Sequence, residues 1–95
     1  MRLVWRPRAR RELYAIFEYI AQQDSGAAET IAAEIEQTAQ HLKTYPHMGR
    51  LSRDVNVRLL QVPNRPYLLP YRVTRDRIEI VAVLDERMRR PQEWA

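Results

Sequence analysis

The spacing of the apolar residues changes about halfway along the chain, from the period of helices to that of strands. In the first half, apolar residues recur at intervals of three and four in two sets: Leu13, Ile16, Phe17 and Ile20, and then Ile31, Ile35, Ala39 and Leu42. Each set predicts one apolar stripe on a helix. Pro7 can begin the first helix, and Asp24 or Ser25 can cap the second. With the polar residues 22–26 between them, the two helices form a predicted hairpin.

Four segments have the pattern of strands. Residues 2–6 are a short apolar run between two arginines and read as a first strand, and residues 55–62, 67–74 and 77–84 are β-rich, with turns at 63–66 and 75–76. The nearly continuous apolar run at 77–84 predicts an internal strand. Pro70 cannot donate a hydrogen bond to a sheet, so we expect an edge or a bulge there. The sequence therefore predicts one α+β domain over residues 1–95, of order β-α-α-β-β-β. Its helical hairpin packs on one face of a small, mainly antiparallel sheet and leaves the other face available.

Composition excludes several kinds of function. The chain has 95 residues, of which 45% are hydrophobic, and no cysteine, so disulfides and thiolate sites are excluded. His41 and His47 have no carboxylate at ligand spacing, and no serine-triad or phosphate-loop motif is present. We therefore expect no metal and no cofactor. No apolar run is long enough for a membrane span, and the start does not resemble a signal peptide, so we expect a cytoplasmic protein without a membrane partner.

The basic residues are unevenly distributed. The net charge is +4, and fifteen of the sixteen basic residues are arginine. Residues 1–49 carry six basic and six acidic side chains, whereas residues 50–95 carry ten arginines and six acidic side chains. Arginine binds phosphate and carboxylate with two parallel hydrogen bonds, which favours a face for nucleic acid or an acidic protein. An ordinary arginine-rich surface is the alternative. A helix-turn-helix DNA reader is disfavoured, because the second helix is acidic.

The loop and the later strands carry a recognisable pattern. Its parts are Tyr45-Pro46-x-x-Gly49-Arg50, Val57-Arg58, the run YLLPYRV at 67–73 and the run IEIVAVL at 78–84, with Ala9, Glu12-Leu13, Ile16 and Tyr19-Ile20-Ala21 in the first helix. In this order the pattern resembles the RelE/ParE toxin superfamily over nearly the whole chain. The resemblance implies the β-α-α-β-β-β fold and a bacterial or archaeal toxin. It also implies a co-encoded antitoxin whose disordered tail folds onto the toxin.

The superfamily divides by target. RelE-like members are metal-independent ribonucleases that cut mRNA on the ribosome, and ParE-like members poison DNA gyrase. The ribonucleases place basic residues along the strand at 55–62, an arginine after the tyrosine that opens the next strand, and a histidine or tyrosine near the C-terminus. This chain has Leu59 and Gln61, Leu68 after Tyr67, and Asp85 where many relatives have histidine. Because RNA cleavage needs an acid, a base and cations, the ParE-like, non-catalytic interpretation is favoured.

The two interpretations, a gyrase poison and a ribonuclease, predict different site residues. The predicted target-binding residues are Arg72, Arg87, Arg89, Arg90 and Trp94. Tyr14 and Tyr19, which lie off the apolar stripe, are predicted to bind the antitoxin. A ribonuclease would use Arg58, Arg72 and Arg87 as replacement cations. The alternatives are a cross-strand pair between Arg72 and Glu79, a Trp94 folded back onto the core, and an interaction module that has lost toxicity.

Overall fold

The chain folds into a sheet covered on one face by two helices, as the sequence predicts. The computed structural model describes residues 1–88. Its strands are β1 (Arg2–Trp5), β2 (Arg50–Leu51), β3 (Arg58–Gln61), β4 (Tyr67–Val73), β5 (Arg77–Ile80) and β6 (Leu84–Asp85). Its helices are α1 (Pro7–Ala21) and α2 (Ser25–Gln40), and α2 continues into a 3₁₀ turn, His41–Lys43.

Both helices begin where the sequence indicates. Pro7 occupies the first turn of α1, where its missing N–H costs nothing. Asp24 is the cap of α2, since its carboxylate accepts a hydrogen bond from the Ala27 N–H at 3.0 Å. The predicted stripe of α1 faces the sheet, with Leu13 buried and its other members half-buried. In α2, Ile35 and Ala39 are fully buried in the same core.

The strands lie in the order β1-β5-β4-β3-β2, and β6 pairs with the start of β4. β1 runs parallel to β5, and every other pair is antiparallel. The prediction of a mainly antiparallel sheet is confirmed. The prediction that the 77–84 run forms an internal strand is confirmed for β5, which lies between β1 and β4.

A bulge interrupts the last strand opposite Pro70. Tyr71 faces Ile80 and Leu68 faces Leu84, so residues 69–70 of β4 lie opposite the three residues 81–83. The Val81 N–H donates to the Pro70 carbonyl at 2.8 Å. Pro70 therefore turns its missing N–H toward the bulge, as its position predicts. The expectation of one strand over 77–84 is wrong, because β5 ends at Ile80 and pairing resumes only at β6.

The segment before β3 differs from the prediction. The sequence indicates a loop over 45–54 and a strand over 55–62, but β2 pairs with β3 and β3 begins only at Arg58. Asn56 adopts a left-handed backbone, with φ of 71°. The Ser52 hydroxyl accepts from the Asp54 N–H at 3.1 Å and donates to the Val57 carbonyl at 2.8 Å. This local turn takes residues 55–57 out of the predicted strand.

The two faces of the sheet carry different apolar clusters. The main core lies between the sheet and the helices and contains Leu60, Leu69, Tyr71, Ile78 and Ile80 from the strands. A second cluster lies on the opposite face and consists of Leu59, Leu68, Ala82 and Leu84, each at most 9% exposed. The face that the helices leave uncovered is therefore partly apolar and buried. No helix within residues 1–88 is long and apolar enough to cross a membrane.

Candidate functional site

Three of the positions that carry basic residues in the ribonuclease pattern lie together on the face away from the helices: Leu59, Gln61 and Leu68. Gln61 is the cross-strand partner of Leu68, and Leu59 is the partner of Pro70. Leu59 and Leu68 belong to the second apolar cluster. Gln61 donates from Nε2 to the carbonyls of Arg65 at 2.8 Å and Tyr67 at 3.1 Å, which fixes the β3–β4 turn. These positions thus offer apolar packing and a turn contact instead of cations.

Asp85 and Arg87 form a tight ion pair on the side of the sheet that the helices cover, since Asp85 is the cross-strand partner of the core residue Tyr67. The Asp85 carboxylate accepts from Arg87 Nη2 at 2.7 Å and from Nε at 3.0 Å, and also from the Arg87 backbone N–H at 2.9 Å. The Arg87 hydrogen bonds hold the pKa of Asp85 below its usual range, and Asp85 in turn raises the pKa of Arg87. The Arg87 side chain is 66% exposed. Part of its positive charge is therefore balanced locally, although it remains accessible to a partner.

Arg58 and Arg72 lie on opposite faces of the sheet. Arg58 is the cross-strand partner of Tyr71, whose ring lies in the core beneath the helices. Arg72 is the next residue of β4, so its side chain points to the other face. The three arginines of the ribonuclease alternative are consequently not brought to one point of the surface.

A clamp of hydrogen bonds fixes the loop that carries the Tyr45-Pro46-x-x-Gly49 pattern. The Tyr71 hydroxyl accepts from the Gly49 N–H at 2.9 Å and donates to the Pro46 carbonyl at 2.8 Å. Arg58 Nη1 donates to the carbonyls of Gly49 at 2.8 Å and His47 at 3.2 Å. Burial raises the pKa of Tyr71, which keeps its hydroxyl a donor. This part of the pattern has a structural role, and Arg58 takes part in it.

Glu79 is the centre of an ion-pair network on the face away from the helices. It is the cross-strand partner of Arg72, as the sequence alternative expects. Its carboxylate, however, binds Arg77 Nε at 2.8 Å and Arg6 Nη1 at 3.4 Å. The Arg77 hydrogen bond holds the pKa of Glu79 below its usual range. Within residues 1–88, no group accepts a hydrogen bond from the Arg72 guanidinium. Arg72 thus lies opposite Glu79 in the strand register, but Glu79 forms its ion pairs with Arg77 and Arg6.

The predicted antitoxin-binding tyrosines are both accessible. Tyr14 is 64% exposed and Tyr19 is 66% exposed. Five residues of a helix turn through about 140°, so the two rings lie on different flanks of α1. Tyr19 lies near enough to Arg87 to contribute to its raised pKa, after Asp85 and Tyr67. Arg89, Arg90 and Trp94 fall outside the described residues.

One contact that sequence reasoning missed joins α1 to the bulge. Glu12 Oε1 accepts a hydrogen bond from the Val83 N–H at 2.9 Å, and its other oxygen binds Arg8 Nε at 3.3 Å. The bulge leaves this N–H without a partner strand, and Glu12 satisfies it. Glu12 is part of the pattern that resembles the RelE/ParE superfamily, so the sequence indicated this residue but not its contact. Within residues 1–88, no group of three histidine or acidic side chains is placed to hold a metal ion.

Comparison with known proteins agrees with this geometry. Residues 3–90 match the sequence profile of the family described as "ParE toxin of type II toxin-antitoxin system, parDE". This chain belongs to the ParE toxin family. The relative named "Putative toxin Y4kP" from Sinorhizobium fredii is 37% identical over 91 residues, which are 96% of this chain and 94% of that protein. Toxin RelE2 from Caulobacter vibrioides is 36% identical over 81 residues, 85% of this chain and 90% of that one.

The fold has a close counterpart among solved structures. A chain from the structure titled "Chromosomal ParDE TA system from P. aeruginosa" superposes with a TM-score of 0.80 and 26% identity, covering 87% of this chain and 92% of that one. The α+β fold and the ParE branch of the superfamily predicted from the sequence are therefore confirmed. As a ParE-family toxin of a type II toxin–antitoxin system, the chain has an antitoxin as its implied partner.

Proposed function

We propose that this ParE-family toxin inhibits growth by poisoning DNA gyrase, without cleaving RNA, and that a co-encoded antitoxin neutralises it in the cytoplasm. The observation that carries the proposal is the second apolar cluster. Leu59 and Leu68 stand where the ribonuclease pattern needs cations, and they are at most 9% exposed. A phosphorane that formed there would meet hydrocarbon, which gives its negative charge no stabilisation.

The position of the remaining arginines supports the same proposal. Arg58 binds loop carbonyls, Arg72 lies on the other face, and Arg87 is paired with Asp85. No two of these side chains share a contact among the described residues. A metal-independent ribonuclease needs its acid, base and cations around one phosphate. A binding protein has no such requirement, because each arginine can contact a different part of a large partner.

The decisive experiment adds the purified toxin to gyrase, relaxed plasmid and ATP. We expect supercoiling to be lost and linear DNA to accumulate, and we expect added antitoxin to reverse both effects. A parallel reaction with translating ribosomes and mRNA is the control, in which the mRNA should stay intact. Normal supercoiling at a large excess of toxin, with cleaved mRNA in the control, would show the ribosome to be the target.

A charge reversal tests the proposed target-binding residues. Changing Arg87, Arg89 and Arg90 together to glutamate should abolish growth inhibition, because it replaces three cations that we assign to the target. Antitoxin binding, which we assign to Tyr14 and Tyr19 on α1, should survive at least through Tyr14. Because Arg87 lies near Tyr19, the melting temperature of the variant reports whether it is folded. A triple variant as toxic as the parent would refute this assignment.

A further inference from the structure

A cluster of arginines surrounds Glu79 on the face away from the helices. Arg2 is the cross-strand partner of Arg77, and Arg72 is the partner of Glu79, so all four side chains project from one face. Arg6 reaches the same place, because its Nη1 atom lies 3.4 Å from Glu79 Oε1. We call this group of Arg2, Arg6, Arg72 and Arg77 the arginine face. Four positive charges surround one negative charge, which leaves a local excess of three.

Glu79 orients two of these arginines without using up their hydrogen-bonding capacity. Its side chain is only 11% exposed, whereas those of Arg6 and Arg77 are 48% and 39% exposed. Each of the two contacts uses one of the five N–H donors of a guanidinium. The buried carboxylate therefore holds both groups at the surface with donors to spare. Such prior ordering lowers the entropy cost of binding an anion.

The surroundings of the arginine face indicate the kind of anion. Its neighbours on β1 and β5 are Val4, which is half-buried, and charged side chains. The large exposed apolar residues are concentrated elsewhere among the described residues, chiefly on α1 and on the segment 45–55. Protein–protein interfaces are usually anchored by aromatic or aliphatic side chains. Nucleic-acid interfaces are more polar and more positive, and most of their contacts go to phosphates.

We infer that the arginine face binds the phosphodiester backbone of a nucleic acid, with Arg2 and Arg72 contacting phosphates beside the arginines that Glu79 orients. This site lies on the same face of the sheet as the second apolar cluster, on the side toward β1. The inference goes beyond the proposed function, because it concerns direct binding of a nucleic acid by the toxin. This binding can be measured without gyrase. Phosphates of DNA and of RNA would present the same chemistry to these guanidinium groups.

The test measures binding of the full-length toxin, without antitoxin, to a fluorescent 20-bp DNA duplex as the salt concentration is varied. With about three phosphate contacts, log K should fall with log salt at a slope of roughly −3, so that affinity drops roughly 40- to 60-fold between 50 and 200 mM salt. The double variant Arg2→Gln/Arg72→Gln should bind more weakly at every salt concentration, and its slope should be shallower by about 2.

A matched variant separates the arginine face from net charge. Arg50→Gln/Arg53→Gln removes the same two charges, and both residues are exposed on β2 and the loop after it, at the opposite edge of the sheet. This control should bind like the parent. Equal losses in the two variants, or no binding by the parent at 50 mM salt, would overturn the inference. If Arg2→Gln/Arg72→Gln melts at a lower temperature than the parent, Arg2→Gln alone, at an exposed position, gives the same test with a slope change of about 1.

Two further ligands identify the source of the phosphates. An RNA strand of the same sequence tests the alternative nucleic acid, and a glutamate-rich peptide of equal charge tests a protein partner. Tighter binding of the RNA would support the arginine face but contradict the proposed gyrase target. Preference for the peptide, lost in Arg2→Gln/Arg72→Gln, would overturn the inference in favour of an acidic protein. Arg2 is outside the predicted target-binding residues, so weaker DNA binding by Arg2→Gln with normal gyrase poisoning would support phosphate binding as a separate property of the toxin.

Discussion

Replacing Gly49 with alanine tests whether the Tyr71 clamp determines the stability of the domain. A Cβ atom at this position would lie 2.6 Å from Tyr71 Cε1, 2.8 Å from its hydroxyl oxygen and 2.9 Å from the Leu59 carbonyl oxygen. All three distances are too short, and one of the atoms belongs to the backbone of β3. The Tyr71 ring is fully buried, so it cannot simply swing away. Either the ring or the 45–49 loop must therefore shift.

The loss of stability expected for Gly49→Ala has two parts. Overpacking of a buried site costs about 1–3 kcal/mol. A shift of the ring also weakens the two hydrogen bonds of its hydroxyl, at about 1 kcal/mol each. We expect Gly49→Ala to lower the free energy of unfolding by about 2–4 kcal/mol, a large part of the 5–15 kcal/mol typical of a small domain. In urea denaturation the midpoint should fall by roughly 1–3 M with an unchanged m-value.

The other glycine supplies the control. A Cβ on Gly26 would meet only Asp24 Oδ1, at 3.5 Å, and Gly26 lies in the first turn of α2. Gly26→Ala should therefore stabilise the domain by about 0.4–1 kcal/mol. In the double variant Gly49→Ala/Tyr71→Phe one of the short contacts is gone, so its loss should be less than the sum of the single losses. Unchanged stability in Gly49→Ala, or strict additivity, would refute the clamp.

Three further predictions concern contacts elsewhere in the domain. Glu12→Ala removes the acceptor of the Val83 N–H and should cost about 1–3 kcal/mol in thermal unfolding, with Glu12→Gln much milder because it keeps an acceptor. Asp24→Ala removes the cap of α2 and should cost about 1 kcal/mol, whereas equal helix content and stability in the variant would contradict the assigned cap. The folded-state pKa of Glu79 is lowered, so its stabilisation is present above the unfolded pKa of about 4.3 and is lost as the pH falls through the folded value. Unfolding measured from pH 6 to 2 should show this loss, and Glu79→Gln should flatten the curve.

The spacing of the apolar residues was sufficient to predict the fold, because each helix carries one clear apolar stripe. The helix starts at Pro7 and Asp24 each depend on one local interaction, and such interactions can be predicted from neighbouring residues. The bulge opposite Pro70 was predicted as one of two outcomes, because a missing N–H shows that pairing is disturbed but not how. The end of β5 was missed, since the apolar residues 81–83 read equally well as a strand or as a buried bulge.

The candidate site was predictable only in part. The positions of Leu59, Gln61 and Leu68 followed from the family pattern, but their packing depends on which strands pair. The network around Glu79 joins β5 to Arg6, which lies 73 residues earlier in the chain. No local pattern could have shown that Arg6 would bind this carboxylate, whereas Arg77 lies two residues from Glu79 and shares its face of the strand. A cross-strand pair between Arg72 and Glu79 was instead expected as the alternative to a target-binding Arg72, from the strand order alone.

The parallel pairing of the first and fifth strands has a consequence for synthesis of the toxin. Arg2 pairs with Arg77, so β1 has no partner strand until another 75 residues have been added. At roughly 5–20 residues per second, β1 remains without that partner for about 4–15 s. A chain that is released early, before residue 77, lacks β5, the strand that joins β1 to the rest of the sheet. Incomplete products of translation would therefore be unfolded, and only a nearly finished chain could become the folded toxin.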